Sequence, residues 1–189
     1  VGDLICKGPD SRGVMEWAMN AGNLRCVLGN HELRHLSHWK RGSASEEKPY
    51  DAETTRQLGE RREDCMRFIA RWPLYLVASG CTVVHAGFDP RGGPLSRQAP
   101  EDLVNMRDLK TTGKPWYEGY KEPRLVVFGH WAKKEPVVRD NAIGLDTGCV
   151  YGGSLTAIIL PERRLVSVPA RRAYAEKKSW NAPALTGNR

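Results

Sequence analysis

The sequence lacks any long apolar run. No such run exceeds about six residues, the length of residues 155–160, whereas a helix that spans a bilayer needs about 20. A basic segment followed by an apolar one, which marks a secretory leader, is also missing. We therefore expect no membrane segment. Since the first residue is Val and not Met, the location stays unknown, with the cytoplasm as the default expectation.

Cysteines in paired spacing are also missing. The chain has five cysteines, at positions 6, 26, 65, 81 and 149, and no two of them form a CxxC pair. Their odd number and wide spacing argue against a disulfide framework and against a zinc ribbon. The same features favour a reducing compartment.

The net charge of +7 is concentrated near the C-terminus. Residues 162–189 hold seven Lys and Arg against two Glu, whereas residues 1–161 hold 22 basic and 20 acidic residues. Because a run of like charges is usually a solvated segment, we predict a basic tail over residues 171–189. A dedicated nucleic-acid arm is the alternative.

Apolar spacing predicts helices mainly in the first half of the chain. One helix is capped by Ser11 and ends at Gly22, and its predicted apolar face carries Val14, Trp17, Ala18 and Ala21. Residues 30–39 form a short second helix. A possible capping box at Thr54 starts a longer helix that runs to about residue 70. The 189 residues, 40% of them hydrophobic, suffice for one domain with a sizeable core.

Short apolar runs predict strands, most of them in the second half. The predicted strands are residues 24–28, 74–78, 81–85, 124–128, 143–145, 155–160 and 165–168, with a hairpin between the second and third and a short helix near Pro100. The fold class is therefore mixed α/β.

Four polar residues recur where apolar runs end, and each lies beside or close to a glycine: Asp3, Asn30, His85 and His130. Loops at one edge of a sheet commonly build a site in this way. A carboxylate, an amide and two imidazoles together suit a divalent cation of the transition series. Each residue taken singly has a structural alternative: the asparagine as a turn former, and each histidine as a structural residue.

The ordered motifs resemble a known family. Residues 2–9 (GDLICKGP), 29–32 (GNHE), 85–87 (HAG), 129–130 (GH) and 144–153 (GLDTGCVYGG) are similar to the signature of the phosphoprotein phosphatase-like, calcineurin-like metallophosphoesterases. The last of these motifs resembles the branch related to diadenosine tetraphosphatase. Where protein phosphatases carry Asp-Arg, Cys6-Lys7 resembles the ApaH-like phosphatases.

The resemblance implies a sandwich of two mixed β-sheets flanked by helices, and a centre of two divalent ions. Mn²⁺ is the expected metal, with Zn, Fe, Co or Mg as alternatives. Asp3 would bridge both ions, and Asn30, His85 and His130 would complete the second site. The first site should also use an upstream GDxHG motif, which these 189 residues do not contain. We therefore expect residues 1–170 to be a catalytic domain that lacks its first motif.

The resemblance also implies roles for three further residues. His31 would protonate the leaving oxygen as a general acid, and Lys7 would hold a phosphate oxygen as a point charge. Arg107 is a candidate second phosphate clamp, with a surface arginine as the alternative. Asp146 is expected to organise a turn, and His35 and His38 are expected to be surface residues.

The residue at position 6 bears on the substrate. Protein phosphatases place a carboxylate there to orient the catalytic histidine, and a thiol accepts hydrogen bonds only weakly. We therefore predict cleavage of phosphoanhydride bonds, with polyphosphate, a dinucleoside polyphosphate or a capped RNA 5′ end as the phosphate-rich partner. A Ser/Thr protein phosphatase and a catalytically dead phosphate-binding module are the two alternatives. The oligomeric state is unknown.

Overall fold

The computed structural model describes residues 1–45, 48–78 and 80–177. No helix in these ranges is both long enough and apolar enough to cross a membrane. The helices are α1 (Ser11–Asn20), α2 (Asn30–Lys40), α3 (Pro49–Leu58), α4 (Arg62–Ile69), α5 (Pro100–Asn105) and α6 (Trp116–Gly119), with 3₁₀ turns at Gly59–Arg61 and Leu95–Arg97. The strands are β1 (Tyr75–Ala78), β2 (Cys81–Val84), β3 (Leu125–Phe128), β4 (Val137–Val138), β5 (Ala142–Gly144), β6 (Ser154–Ile159) and β7 (Arg164–Pro169).

The strands form two sheets. The larger sheet has the order β1-β2-β3-β5-β4, in which β2, β3 and β5 are parallel and the two edge strands are antiparallel. The smaller sheet is the antiparallel hairpin of β6 and β7. The predicted mixed α/β class, with two sheets and flanking helices, is confirmed.

The central strand β3 is buried on both faces, as expected for a parallel strand covered on each side. Its residues Val126 and Phe128 pack in the cluster that contains Trp116 of α6. Leu125 and Val127 belong to the cluster on the opposite face, against which the β6–β7 hairpin packs. The site residues that follow β3 are therefore held by a strand that cannot shift easily.

The predicted first helix is shifted by one residue. Its N-cap is Asp10, whose carboxylate accepts the backbone N–H of Gly13 at 2.7 Å, so Ser11 is the first helical residue. Val14 and Trp17, predicted to be buried, are 40% and 62% exposed. The residues of α1 that are buried are Ser11, Met15 and Ala18.

The predicted helix over residues 54–70 is two helices. The chain turns at Gly59, which has φ +49°, and α3 already begins at Pro49, so the Thr54 hydroxyl donates to the Tyr50 carbonyl at 2.8 Å inside that helix. The predicted strand over residues 24–28 is wrong as a strand. Its last three residues are buried, but they join none of the described sheets.

Candidate active site

The two predicted histidine ligands lie at one edge of the larger sheet. His85 directly follows β2 and His130 lies two residues beyond β3. Because these strands are parallel neighbours, their carboxyl ends meet at the same edge. The Gly129 N–H donates to the His85 carbonyl at 2.7 Å, which fixes the two loops relative to each other.

The loop that carries Asp3 is held by Glu32, near the start of α2. The fully buried Glu32 carboxylate accepts the backbone N–H groups of Asp3 at 2.8 Å, Leu4 at 2.7 Å and Ile5 at 3.2 Å, together with that of Gly29 at 2.9 Å. Burial raises the pKa of Glu32, and the nearby Asp3 charge raises it further. The sequence analysis gave Glu32 no role, although a glutamate at the third position of a helix is a recognisable capping signal.

The four predicted ligands converge, and we call them the ligand cluster: Asp3, Asn30, His85 and His130. Asn30 Oδ1 lies 3.2 Å from His85 Nε2 and 3.1 Å from His130 Nδ1. Asp3 Oδ2 lies 3.4 Å from His85 Nε2. Metal–ligand bonds of ~2.0–2.2 Å place adjacent ligand atoms roughly 3.0–3.5 Å apart in octahedral or tetrahedral sites. The donor atoms of the cluster therefore fit a divalent cation.

The orientation of His85 supports the same conclusion. Its Nδ1 lies 2.7 Å from the Val1 carbonyl, so this nitrogen donates to the backbone and leaves Nε2 with a free lone pair. A histidine that ligates a metal is usually held by its second nitrogen in this manner. The amide oxygen of Asn30 faces the free nitrogen, as a second ligand of the same ion would.

Backbone strain is concentrated around this cluster. Asp3, Cys6, Lys7 and His130 have φ values of +57°, +77°, +61° and +64°, which non-glycine residues rarely adopt. Such conformations persist where the surrounding structure imposes them, and they occur often at functional sites. Glu32 supplies that constraint for the Asp3 loop.

The cluster has strongly perturbed pKa values. Burial acts to raise the pKa of Asp3, but the histidines around it, His85 above all, hold it below its ordinary value. Burial also acts to lower the pKa of His85, and Asp3 outweighs it, so that this pKa is raised. Burial, together with the charge of His85, lowers the pKa of His130 to about 3. The cluster thus presents an ionised carboxylate and a neutral His130, both in the form that binds a metal.

One ring nitrogen of His31 faces the ligand cluster, and the other faces Arg34. Its Nε2 lies 3.7 Å from Asp3 Oδ2, and its Nδ1 lies 2.9 Å from Arg34 Nη2. Because a guanidinium only donates hydrogen bonds, Nδ1 accepts and the ring proton lies on Nε2. Burial, followed by the charges of Lys7 and Arg34, lowers the pKa of His31 to about 4 despite the opposing charge of Asp3.

Arg34 is itself fixed by a buried carboxylate. Asp51 accepts from Arg34 Nε at 2.9 Å and from Arg34 Nη2 at 2.6 Å, and its side chain has no solvent exposure. It also accepts from the Ser45 hydroxyl and the Lys48 N–H, each at 3.0 Å. The sequence analysis missed this network, which joins two helices.

Cys6 contacts this network and not His31 directly. Its Sγ lies 3.3 Å from His35 Nε2 and 3.9 Å from Asp51 Oδ1. Burial raises the pKa of Cys6 to about 12, so it remains a thiol. The prediction that His35 is a surface residue is wrong, because its side chain is fully buried, whereas His38 makes an exposed contact with Ser43.

Lys7 and Arg107 line the same cavity as Asp3, His85 and His130, a space of about 240 Å³. Lys7 Nζ donates to the Tyr151 hydroxyl at 2.9 Å. Asp146 also lines the cavity, and its Oδ1 accepts the Gly148 N–H at 3.1 Å, which is the turn contact expected of it. Both predicted phosphate-binding side chains are therefore near the donor atoms.

The first residues of the predicted basic tail pack against the fold. Ala173 pairs with Tyr151, and Lys177 lines the cavity. Residues 178–189 lie outside the described residues.

Comparisons with known proteins agree with this geometry. Residues 1–151 match the sequence model of the calcineurin-like phosphoesterases. The chain is 32% identical over 199 residues to the asymmetrical bis(5′-nucleosyl)-tetraphosphatase PrpE of Bacillus subtilis, with 94% of this chain and 81% of that protein covered. It is 27% identical over 233 residues to the symmetrical bis(5′-nucleosyl)-tetraphosphatase of Vibrio parahaemolyticus, with 89% and 86% covered.

A solved structure shares both the fold and part of the sequence. It is the crystal structure of a candidate diadenosine tetraphosphatase, with a TM-score of 0.77, 32% identity, and coverage of 89% of this chain and 78% of that one.

Proposed function

Because the chain belongs to the calcineurin-like phosphoesterase family, we propose that it is a metal-dependent hydrolase that cleaves the phosphoanhydride bonds of a dinucleoside polyphosphate. One observation carries the proposal: three members of the ligand cluster, Asp3, His85 and His130, line a cavity that Lys7 and Arg107 also line. Metal-ligating donors and phosphate-binding cations thus meet in one space. The relatives with bis(5′-nucleosyl)-tetraphosphatase names support the substrate class.

We propose two divalent ions, with Mn²⁺ expected and Zn, Fe, Co or Mg as alternatives. Asp3 would bridge them, and the other three members of the ligand cluster would hold the second ion. Bound there, such ions supply Lewis acidity to phosphoryl oxygens and acidify water. The ligands of the first ion would include the Asp and His of a GDxHG motif.

The side chains around the ligand cluster have separate roles in the proposed reaction. Lys7, fixed by the Tyr151 hydroxyl at 2.9 Å, binds a phosphate oxygen as a point charge. Arg107 binds a second phosphate oxygen from another part of the cavity wall. His31 donates a hydrogen bond from Nε2 to the leaving oxygen.

The contact between Arg34 and His31 favours a particular leaving group. With Arg34 at Nδ1, the ring has a proton to share at Nε2 but is poorly suited to hold a second one at Nδ1. Neutral imidazole can still stabilise negative charge as a hydrogen-bond donor. A serine or threonine alkoxide needs a full proton to depart, whereas a phosphate, with a second pKa of ~6, does not. The arrangement therefore suits P–O–P cleavage better than protein dephosphorylation.

A direct comparison of substrates tests this proposal. With Mn²⁺ present, we expect kcat/KM for diadenosine tetraphosphate to exceed that for a phosphothreonine peptide by about 100-fold or more, since neutral His31 would leave ~3 kcal/mol of alkoxide stabilisation unsupplied. Capped RNA and inorganic polyphosphate are measured in parallel. The assay uses residues 1–189 and a version to which a segment with a GDxHG motif is added at the N-terminus.

Each alternative predicts a different result. A preference for the phosphopeptide would support a Ser/Thr protein phosphatase. Binding of phosphate compounds without turnover by either version would support a catalytically dead module. Cleavage of capped RNA or polyphosphate faster than diadenosine tetraphosphate would support the same phosphoanhydride hydrolysis with a different substrate.

A further inference from the structure

The segment that follows β7 returns across the loop between β5 and β6. The Ala170 N–H donates to the Gly153 carbonyl at 2.8 Å, and the N–H groups of Tyr174 and Ala175 donate to the Val150 carbonyl at 2.8 and 3.0 Å. We call residues 170–177 the return segment. These bonds hold it at the rim of the cavity that contains the ligand cluster.

Gly152 sets the path of the loop beside the return segment. It has φ +88°, and a β-carbon built on it would make only an ordinary van der Waals contact with Ala173, at 3.4 Å. The left-handed backbone at this position disfavours other residues. The loop and the return segment are therefore matched in shape as well as in hydrogen bonding.

Lys177 brings a positive charge from the return segment into the cavity. Its Nζ donates to the Ala132 carbonyl at 2.6 Å, two residues beyond the predicted ligand His130. The same Nζ lies 5.4 Å from the centroid of the Tyr151 ring. Lys177 lines the cavity together with Asp3 and His31.

A second ammonium group contacts the same tyrosine. Lys7 Nζ lies 5.5 Å from the Tyr151 ring centroid and donates to the Tyr151 hydroxyl. Two lysines that are 170 residues apart in the sequence thus meet at one aromatic ring. Arg107 lines the same cavity. The carboxylates of Asp3 and Asp146 also line this cavity, and Asp146 is the main opposite charge that acts on Lys177. Three cations in one space still favour a bound anion that carries several charges.

We propose that Lys177, Lys7 and Tyr151 form a subsite for the phosphate groups of the substrate that lie beyond the scissile one. The inference rests on the proposed function, and it makes Lys177 a residue that distinguishes polyphosphates from phosphomonoesters. The ligand cluster and His31 serve the reacting phosphate, so a monoester makes no use of the subsite. The cavity of about 240 Å³ has room for roughly eight water molecules, which is more than a single phosphate group fills.

Replacing Lys177 by methionine tests the subsite, because methionine keeps the length of the side chain and removes its charge. The substrates are diadenosine tetraphosphate and p-nitrophenyl phosphate, with Mn²⁺. We expect the loss in kcat/KM on the tetraphosphate to be at least about tenfold larger than the loss on the monoester, and to appear mainly in KM, since one charge-assisted contact is worth ~1.5–3 kcal/mol. Lys177→Arg should restore most of the loss.

Arg172→Met is the matched control. Arg172 belongs to the same return segment, but it stacks on Tyr174 at 5.3 Å and does not line the cavity. We expect Arg172→Met to change kcat/KM for the two substrates by equal, small factors. Equal losses of kcat/KM on both substrates in Lys177→Met would show that Lys177 has only a structural role and would overturn the subsite. No loss of kcat/KM on either substrate would overturn it as well.

A binding measurement separates this inference from the proposed function. Calorimetry on the metal-free protein measures inorganic tripolyphosphate and inorganic phosphate as ligands. We expect Lys177→Met, and Lys177→Gln as a second variant, to weaken tripolyphosphate binding by about tenfold and to change phosphate binding much less. Equal tripolyphosphate affinity in wild type and variants would refute the subsite whatever the enzyme cleaves. If the wild type shows no hydrolysis and still binds tripolyphosphate through Lys177, the proposed function fails and the subsite stands.

Discussion

Replacement of Asp51 by asparagine is the most direct test of the network that holds Arg34 and, through it, His31. The Asp51 side chain is fully buried and the Arg34 side chain is only 13% exposed. Asparagine preserves the shape of the side chain, so the change removes the charge without creating a cavity. It leaves the buried guanidinium without a counter-ion.

The expected loss of stability is large. Removing one partner of a buried ion pair costs about 3–5 kcal/mol, against a total of about 5–15 kcal/mol for a typical domain. At about 2–4 °C per kcal/mol for a chain of this size, the melting temperature should fall by about 6–20 °C. The measurements are urea unfolding for the free energy and thermal unfolding for the melting temperature. Both use the metal-free protein, because a bound metal would itself stabilise the fold.

The pH dependence gives a second readout. Burial acts to raise the pKa of Asp51, but the hydrogen bonds and charge of Arg34 lower it below the ordinary value. A carboxyl group whose pKa is depressed in the folded state contributes stability above its unfolded pKa of ~3.9, and this contribution is lost as the pH falls. The difference in stability between wild type and Asp51→Asn should therefore shrink below about pH 4.

The control comes from the same helix. Glu53 forms an exposed pair with Arg56 at 2.6 Å, and exposed pairs of this kind contribute little. Glu53→Gln should leave the unfolding midpoint within experimental error. A loss for Asp51→Asn no larger than that for Glu53→Gln would refute the reasoning, as would a difference between wild type and variant that does not shrink as the pH falls below about 4.

Two further predictions concern the proposed roles of His130 and His31 and the residue at position 6. His130→Ala should lower Mn²⁺ affinity by at least about tenfold, because even groups outside the ligand shell contribute that much, whereas His31→Ala should lower turnover with metal content nearly intact. Metal analysis of both variants checks this, and loss of metal from His31→Ala would contradict the hydrogen-bonding role. Cys6→Asp should lower stability without raising phosphopeptide activity, because the new carboxylate would lie beside Asp51, which is 3.9 Å from Cys6 Sγ; urea unfolding and the peptide assay check both parts, and a gain in peptide activity would contradict it.

The sequence predicts the elements that polar and apolar periodicity define, and it misses those that depend on distant partners. The hairpin of β1 and β2 and the buried strand β3 are confirmed. The short pair Val137–Val138 becomes a strand only because β5 lies beside it, and two residues carry no periodicity. Residues 24–28 show the converse, since burial alone does not provide the neighbouring strand that a ladder requires.

The face of a short helix is also hard to predict. The predicted apolar face of α1 contained Ala18, which is buried, but also Val14 and Trp17, which are exposed. Met15 lay outside the prediction and is buried, because α1 lies against the core around Met66, which no local pattern reveals. The turn at Gly59 was visible in the sequence, since an interior glycine is a common end to a helix.

The site itself shows which inferences a motif can carry. GNHE and the two histidine motifs led to three of the four converging side chains, because each of these motifs ties its residue to the end of a strand or the start of a helix. The fourth, Asp3, comes from the motif at residues 2–9. The surroundings of His31 could not be read in this way. The sequence suggested that a thiol at Cys6 would orient His31 poorly, but the group at His31 Nδ1 is Arg34, and Arg34 is placed by Asp51 from the next helix. A cation there limits proton transfer more strongly than a missing acceptor would, because it opposes charge on the ring and not only its orientation. The preference for a leaving group that departs without a proton therefore follows from a contact between two helices, made by residues that lie 17 positions apart in the chain.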